Sequence, residues 1–231
     1  MKKKNAPPTP PSAAPRKSIL IVDDHPIMRQ GLAQLINHEA GLTVCGEAAT
    51  TGEAMELIEK KCPDLAIVDL SLQGRNGLEL IKDLRARQST LPVLVLSMHD
   101  ETVFAERALR AGARGYIMKQ AGGKLLIDAI RHVLAGNVYV SPQVSARILE
   151  SFAGRPGEAA RSPIERLTDR EFEVFQLLGQ GRGTREIALE LNLSIKTVEV
   201  HRTNARNKLD LKTGAELVNA AIRWTETEGG E

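Results

Sequence analysis

The sequence lacks the features that mark disulfide-rich, membrane-spanning and secreted proteins. Only two of its 231 residues are cysteines, Cys45 and Cys62, and their spacing matches neither a disulfide framework nor a zinc site. It contains no run of about 18 apolar residues, so we expect no membrane span. Prolines, rather than an apolar segment, follow the basic start, which argues against a secretory signal. We therefore expect a cytoplasmic protein without a membrane partner.

The overall charge is almost balanced, with a formal net charge of +2, so any basic surface must be local. The length allows one large or two small domains. Composition predicts a disordered, Lys- and Pro-rich tail over 1–17 and an acidic tail over 224–231. Between them we predict a domain over 18–136, a connector and linker over 137–166, and a second domain over 167–223.

The first predicted domain alternates between β-prone and helical segments five times. Strands are expected at 18–22, 42–48, 65–70, 92–97 and 115–118, and helices at 26–38, 51–60, 77–87, 102–111 and 123–134. Such alternation predicts an α/β doubly wound parallel sheet with helices on both faces. The apolar run Leu65–Val68 is typical of a strand buried on both sides.

Polar residues follow four of these strands. Asp23 and Asp24 end the first strand, Asp69 the third and Ser97 the fourth, while Lys119 follows the fifth. Carboxyl ends of parallel strands share one edge of the sheet, where ligands bind in such folds. Clustered carboxylates need a cation, and hard oxygen ligands suit Mg²⁺. Together with the lysine and the hydroxyl, this predicts phosphoryl transfer to an aspartate nucleophile.

Four of these residues also have a simpler interpretation. Asp69 can merely begin a loop, Asp23 and Asp24 can cap a helix, and Lys119 can be solvated. The coincidence of all five at matching strand ends favours the functional interpretation.

The same residues carry a resemblance to a known family. Ile21–His25, Val68–Leu70, Leu96–Ser97 and Gly115–Lys119 are similar to the receiver domain of two-component response regulators. The resemblance covers nearly all of 18–136 and implies a flavodoxin-like five-stranded sheet of order 2-1-3-4-5.

The resemblance also implies roles for individual residues. Asp69 would accept phosphate from the histidine of a sensor kinase, and Lys119 would hold that phosphate. Mg²⁺ would be bound by Asp24, Asp69 and the carbonyl of Ser71, with Asp23 acting through water. Ser97 and Tyr116 would form the switch pair that senses the phosphate.

Other residues depart from the family or have no assigned role. Gln73 and Gln120 stand where the family often has proline, so we expect a trans bond at 119–120 and a less constrained loop. From the residues alone, Tyr116 is a half-buried strand aromatic. His99 and His132 are expected to be surface residues without a role.

The second domain has the pattern of a small all-α unit. Thr168 and Glu171 match a capping box that opens a helix to about Gly179. Thr184 can cap a second short helix, Ser194 a third that ends near 209, and a fourth spans 213–223. Two short helices joined by about three residues predict a helix-turn-helix. Residues 194–212 carry five cations and two anions, a local charge of +3 that would attract phosphates.

This domain resembles the DNA-binding domain of the LuxR/NarL type, on Leu167–Glu171, Glu186–Ala188, Ser194–His201 and Lys208–Leu209. The resemblance implies that base edges face Glu199, Val200 and Thr203, and that phosphates contact Lys196, Thr197, Arg202 and Arg206. An acid in the groove is unfavourable unless it accepts from a cytosine amino group.

Two further features of the second domain remain open. Phe172 stands where the family usually has a polar residue, and it is either exposed or in contact with the first domain. In this family the last helix pairs two copies on DNA, so Leu217 and Val218 are either interfacial or in the core.

The sequence thus predicts a non-enzymatic transcription regulator. Phosphorylation by a sensor histidine kinase would control homodimerisation and binding to paired half-sites of double-stranded DNA. Three alternatives remain: a phosphatase with an aspartyl-phosphate intermediate, a ligand-gated regulator, and a receiver whose helical domain binds protein. Ser71 stands where the phosphatase would need a second carboxylate, and the five-residue constellation argues against ligand gating.

Overall fold

The structure is a computed structural model that describes residues 16–72, 76–152, 163–191 and 193–228. Gln73, most of the predicted N-terminal tail and the end of the C-terminal tail lie outside these ranges. None of the helices in the described ranges is long and apolar enough to cross a membrane.

The first domain contains one sheet of five parallel strands in the order β2-β1-β3-β4-β5, which confirms the predicted fold and strand order. The strands are β1 (Lys17–Val22), β2 (Leu42–Ala48), β3 (Leu65–Val68), β4 (Val93–Ser97) and β5 (Gly115–Met118). The four residues of β3 are all buried, because helices cover both faces of the sheet.

Five helices alternate with the strands: α1 (Pro26–His38), α2 (Thr51–Lys61), α3 (Gly77–Ala86), α4 (Glu101–Ala111) and α5 (Gly123–Leu134). Apolar residues of α1 and α5 pack with one face of the sheet, and those of α2, α3 and α4 with the other. The apolar side chains of the central strands are thus covered by helices on both faces of the sheet.

Two predicted boundaries of the terminal tails are wrong. Lys17, assigned to the N-terminal tail, is the first residue of β1, where its Nζ lies 2.8 Å from a carboxylate oxygen of Asp64. The last helix continues to Glu228 instead of ending at Arg223. It continues because Trp224, assigned to the acidic tail, packs against Phe172 and Phe175.

The described part of the connector packs against the first domain. Tyr139 forms a parallel bridge with Gly115 at the edge of the sheet, beside β5. Helix α6 (Pro142–Phe152) follows and packs on α4. Ser141 caps α6 by accepting a hydrogen bond from the Val144 amide, and its hydroxyl also donates to Glu101 at 2.5 Å.

The second domain is a four-helix unit of α7 (Asp169–Gly179), α8 (Thr184–Glu190), α9 (Ile195–Lys208) and α10 (Gly214–Glu228). The predicted capping box of Thr168 and Glu171 is present, and Ser194 caps α9. The predicted cap of α8 is wrong, since Gly183 is the N-cap and Thr184 the first helical residue. Leu217 is 1% exposed, which places it in the core.

The two domains are in direct contact through α7. The carboxylate of Asp169 lies 2.5 Å from Nζ of Lys82 and 3.1 Å from a guanidinium nitrogen of Arg107. Phe172 is 2% exposed and meets the ring of Phe104 edge-on, with centroids 5.0 Å apart. Of the two alternatives for Phe172, the structure therefore shows contact with the first domain.

Candidate functional site

The carboxyl ends of β1, β3 and β5 bring three predicted site residues into contact. Nζ of Lys119 lies 2.7 Å from Asp23 and 2.8 Å from Asp69. The three side chains are between 2% and 5% exposed, so Lys119 is a buried counter-ion and not a solvated lysine. Asp69 also accepts a hydrogen bond from the Ser71 amide at 3.3 Å.

Burial and charge act in opposite directions on these groups. Desolvation raises the pKa of Asp69 above its ordinary value, although Lys119 opposes that rise. Burial would lower the pKa of Lys119, but its bonds to Asp23 and Asp69 raise that pKa above the ordinary value. Lys119 therefore remains charged, and Asp69 is a desolvated carboxylate with a high free energy in its ionised form.

The acidic residues fit the Mg²⁺ that the resemblance implies. Ligand atoms of Asp23, Asp24, His25 and Asp69 all lie within 4.8 Å of one another. Oδ1 of Asp24 is 2.8 Å from Nδ1 of His25 but not in hydrogen-bonding geometry, so this buried oxygen has no donor within the described ranges. A buried carboxylate oxygen without a donor, beside two other carboxylates, fits a hard divalent cation.

The predicted switch residues Ser97 and Tyr116 lie on the neighbouring strands β4 and β5. Ser97 is fully buried at the end of β4. Tyr116 is 1% exposed, so its prediction as a half-buried aromatic is wrong, and its hydroxyl donates to the carbonyl of His99 at 2.8 Å. Burial raises the pKa of Tyr116 well above its ordinary value, which keeps the hydroxyl protonated as a donor.

His99 is the residue that the sequence did not assign. It was expected at the surface, but its ring stacks on Phe104 with centroids 4.4 Å apart, and its Nε2 lies 2.9 Å from the hydroxyl oxygen of Ser71. Burial lowers the pKa of His99 to about 4, so the ring is neutral at physiological pH. Its position two residues after the strand-end Ser97 was the only available signal. His132, by contrast, is exposed as predicted.

The loop after β5 forms a short 3₁₀ turn over Lys119–Ala121. The peptide bond between Lys119 and Gln120 is trans, as expected.

Most of the predicted DNA-contacting side chains lie on the accessible surface of α9. Lys196, Glu199, Val200 and Thr203 are exposed, and Thr197, Arg202 and Arg206 are half-buried. The carboxylate of Glu199 accepts from Arg202 at 3.0 Å and from the hydroxyl of Thr184, also at 3.0 Å. The charge of Glu199 is therefore already neutralised by Arg202 of the same helix. This pairing lowers the electrostatic cost of placing the carboxylate near DNA phosphates.

Lys208, one of the five cations counted over 194–212, is paired with a carboxylate of the same domain. Nζ of Lys208 lies 2.7 Å from Glu171, whose side chain is 5% exposed. Lys208 therefore links α9 to α7 inside the domain.

Comparison with known families agrees with this two-part architecture. A model described as "Response regulator receiver domain" matches 19–131, and one described as "Bacterial regulatory proteins, luxR family" matches 165–221. The fold and the acidic edge thus define a receiver domain, and the four-helix unit defines a LuxR-type DNA-binding domain.

Curated relatives match over nearly their whole length. The chain is 35% identical to the oxygen regulatory protein NreC of Staphylococcus carnosus over 209 residues, covering 89% of this chain and 96% of the relative. It is 38% identical to the transcriptional activator protein ExaE of Pseudomonas putida, covering 88% and 95%. The chain belongs to the two-component response regulators of the NarL/LuxR type.

Solved structures match this chain across both domains. RcsB from Salmonella enterica serovar Typhimurium, bound to promoter rprA in the presence of the phosphomimetic BeF₃⁻, is 27% identical with a TM-score of 0.66, covering 88% of this chain and 97% of that one. Another RcsB structure from Salmonella typhimurium is 26% identical, has a TM-score of 0.70 and covers 91% and 98%. Receiver and DNA-binding domain together are therefore the unit shared with these regulators.

Proposed function

We propose that this chain is a phosphorylation-controlled transcription regulator whose receiver takes a phosphoryl group on Asp69 from the histidine of a sensor kinase. The observation that carries the proposal is the buried contact of Lys119 with Asp69 and Asp23 at the ligand-binding edge of the sheet. A desolvated carboxylate beside a fixed cation is suited to act as a nucleophile toward phosphorus.

The residues of the chain have separate parts in this transfer. An oxygen of Asp69 attacks phosphorus as the phosphorus–nitrogen bond of the donor histidine breaks. Lys119, already within hydrogen-bonding distance of Asp69, donates to the phosphoryl oxygens and offsets their charge. Asp23, Asp24, Asp69 and the Ser71 carbonyl would hold Mg²⁺, which when bound neutralises charge on the phosphoryl oxygens.

The switch and the output complete the proposal. The hydroxyl of Ser97, which is fully buried at the end of β4, would bind the phosphoryl group. Tyr116 would then exchange its hydroxyl contact with the His99 carbonyl for another one. The receiver then favours a homodimer that places two copies of α9 on paired half-sites of double-stranded DNA. The family acts as transcription regulators, and the only turnover we propose is loss of the chain's own phosphoryl group.

Incubation with acetyl phosphate and Mg²⁺ tests the phosphoacceptor. We expect the native chain to become labelled and Asp69→Ala to take no label, because the nucleophile is gone. Asp64→Ala is the matched control, since Asp64 pairs with Lys17 away from the site, and it should label normally. Equal labelling of Asp69→Ala and native protein would refute the assignment.

Titration with DNA at several salt concentrations tests the output domain. Lys196→Ala should weaken binding to all sequences, since one phosphate contact is lost. The slope of the logarithm of the binding constant against the logarithm of the salt concentration (the salt slope) should fall in magnitude by about one. Val200→Ala should instead change the base preference with little effect on that slope. Lys60→Ala, an exposed lysine on α2, should alter neither. A Lys196→Ala variant with the native salt slope would contradict the proposed orientation of α9.

A further inference from the structure

The contact between the domains is centred on Asp169, the first residue of α7, and on two cations of the receiver. Asp169 is held by both Lys82 and Arg107, and Arg107 also donates to the carbonyl of Ile164 at 3.0 Å. The guanidinium of Arg107, whose side chain is only 11% exposed, lies 4.9 Å from the centroid of the Phe172 ring. We call Lys82, Arg107, Asp169 and Phe172, with Phe104 beneath them, the α7 clasp.

The α7 clasp is joined to the phosphoacceptor loop through one side chain. The ring of His99 stacks on Phe104, with an angle of 16° between the planes, on one side of the clasp. Its Nε2 lies 2.9 Å from the hydroxyl oxygen of Ser71, two residues after Asp69. Starting at Asp69, the contacts therefore run through Ser71, His99 and Phe104 to Phe172 on the DNA-binding domain.

A groove of about 280 Å³ lies beside this chain of contacts. The receiver lines it with Asp24, Ser71 and His99, among others, and the second domain lines it with residues of α7 and α8, including Glu173 and Glu190. The DNA-binding domain thus lies over the mouth of the acidic site. Of these two carboxylates, Glu173 is paired with Arg170 at 2.7 Å and Glu190 is exposed, so the groove joins the domains without an unpaired buried charge of the second domain.

We propose that His99 is the positioning residue through which the phosphorylation state of Asp69 controls docking of the DNA-binding domain. This coupling requires both contacts of the His99 ring. The contact with Ser71 responds to movement of the phosphoacceptor loop, and the contact with Phe104 supports the α7 clasp. When the loop rearranges around a phosphoryl group, the Ser71 contact is lost, Phe104 loses its stacking partner and Phe172 is released. The inference rests on the proposed phosphorylation of Asp69.

The chain contains its own reporter for this event. Trp224 is the only tryptophan, and its ring meets Phe172 edge-on at 5.2 Å. Phe172 therefore lies between Phe104 of the receiver and Trp224 of α10, so release of the clasp changes the surroundings of the indole. Its emission spectrum and its quenching by acrylamide report docking in the chain that contains both domains.

The experiment compares labelling with tryptophan emission, with and without acetyl phosphate and Mg²⁺. In the native chain, labelling should shift the Trp224 emission. We expect phosphorylation to change the docking equilibrium constant by about fivefold or more, the low end of the usual range for coupling between two sites. His99→Phe keeps the stacking ring but loses the nitrogen, and His99→Asn keeps a polar group but loses the ring. Both variants should take label while the phosphorylation-dependent shift is lost.

Two controls separate this role from general damage. His132→Phe changes an exposed histidine on α5 and should retain both label and shift, and thermal unfolding shows that each variant is folded. If His99→Phe or His99→Asn retains the native shift, the inference is wrong. If the native chain labels but its emission does not change, the coupling is absent. If the native chain takes no label, the proposed function itself fails.

Discussion

At the residue scale, the electrostatics of the acidic site depend on Lys119. It is the shared partner of two carboxylates that are 2% and 3% exposed, and a buried ion pair that loses one partner leaves uncompensated charge. The pKa of Asp69 is raised by desolvation even with Lys119 present. Ionisation of Asp69 is therefore unfavourable for the folded receiver, and this cost accompanies a reactive nucleophile.

We expect Lys119→Met to lower the free energy of unfolding by about 3–5 kcal/mol at pH 7. A carboxyl whose folded pKa is raised contributes stability at pH values below its unfolded pKa, and this contribution is lost as pH rises through the folded pKa. The deficit of the variant should therefore shrink as pH falls toward the ordinary Asp value of 3.8. Urea unfolding of Lys119→Met and of the native chain between pH 7 and pH 3.8 measures this deficit.

The matched control is Lys124→Met, on the exposed surface of α5. It should change the free energy of unfolding by no more than about 0.5 kcal/mol. An equally small effect of Lys119→Met would show that the buried charges are compensated by other groups.

At the element scale, the position of α3 is set by how closely its first residue approaches the phosphoacceptor. A Cβ on Gly77 would lie 2.1 Å from the backbone oxygen of Asp69 and 3.0 Å from Cα of Leu70. The Gly77 amide also donates to the Leu70 carbonyl at 2.9 Å. The start of α3 and the phosphoacceptor loop thus pack backbone to backbone.

Two glycine substitutions should therefore have opposite effects. Gly77→Ala must displace either α3 or Asp69, so we expect lower stability and slower labelling of Asp69. Gly31→Ala, in α1, has nothing within 4 Å of the new Cβ and should stabilise by about 0.5–1 kcal/mol through helix propensity. Urea unfolding and acetyl phosphate labelling test both variants. A Gly77→Ala protein with native stability and labelling rate would contradict this close packing.

At the scale of the whole molecule, the charged part of the α7 clasp makes docking of the two domains dependent on pH. Lys82 and Arg107 hold the pKa of Asp169 below its ordinary value of 3.8, although burial opposes that effect. A carboxyl with a lowered folded pKa stabilises above its unfolded pKa, and this contribution is lost as pH falls through the folded pKa. Docking should therefore be stable at neutral pH and weaken below pH 3.8.

Asp169→Asn should show weakened docking already at pH 7, because Lys82 and Arg107 lose their shared anion. Small-angle scattering should detect a larger radius of gyration for this variant than for the native chain. Asp128→Asn, an exposed site on α5, should leave the radius unchanged. If Asp169→Asn and the native chain have the same radius of gyration at pH 7, the ion pairs do not hold the domains together.

Local sequence pattern is sufficient to predict the order of the strands and helices and the residue types of the acidic site. Alternating apolar segments and turn residues define the five β-α units, and the position of Asp23, Asp24, Asp69, Ser97 and Lys119 at strand ends follows from that alternation alone. A parallel sheet places such ends at one edge whatever the details of packing, so local pattern was sufficient for this part.

The contacts between these parts depend instead on how the chain packs in three dimensions. The stacking of His99 on Phe104, the contact of Phe172 with the receiver and the extension of the last helix to Glu228 all depend on residues distant in sequence. An aromatic or a histidine has the same local pattern whether it is exposed or packed against another domain. The burial that distinguishes these cases arises only when the two domains dock.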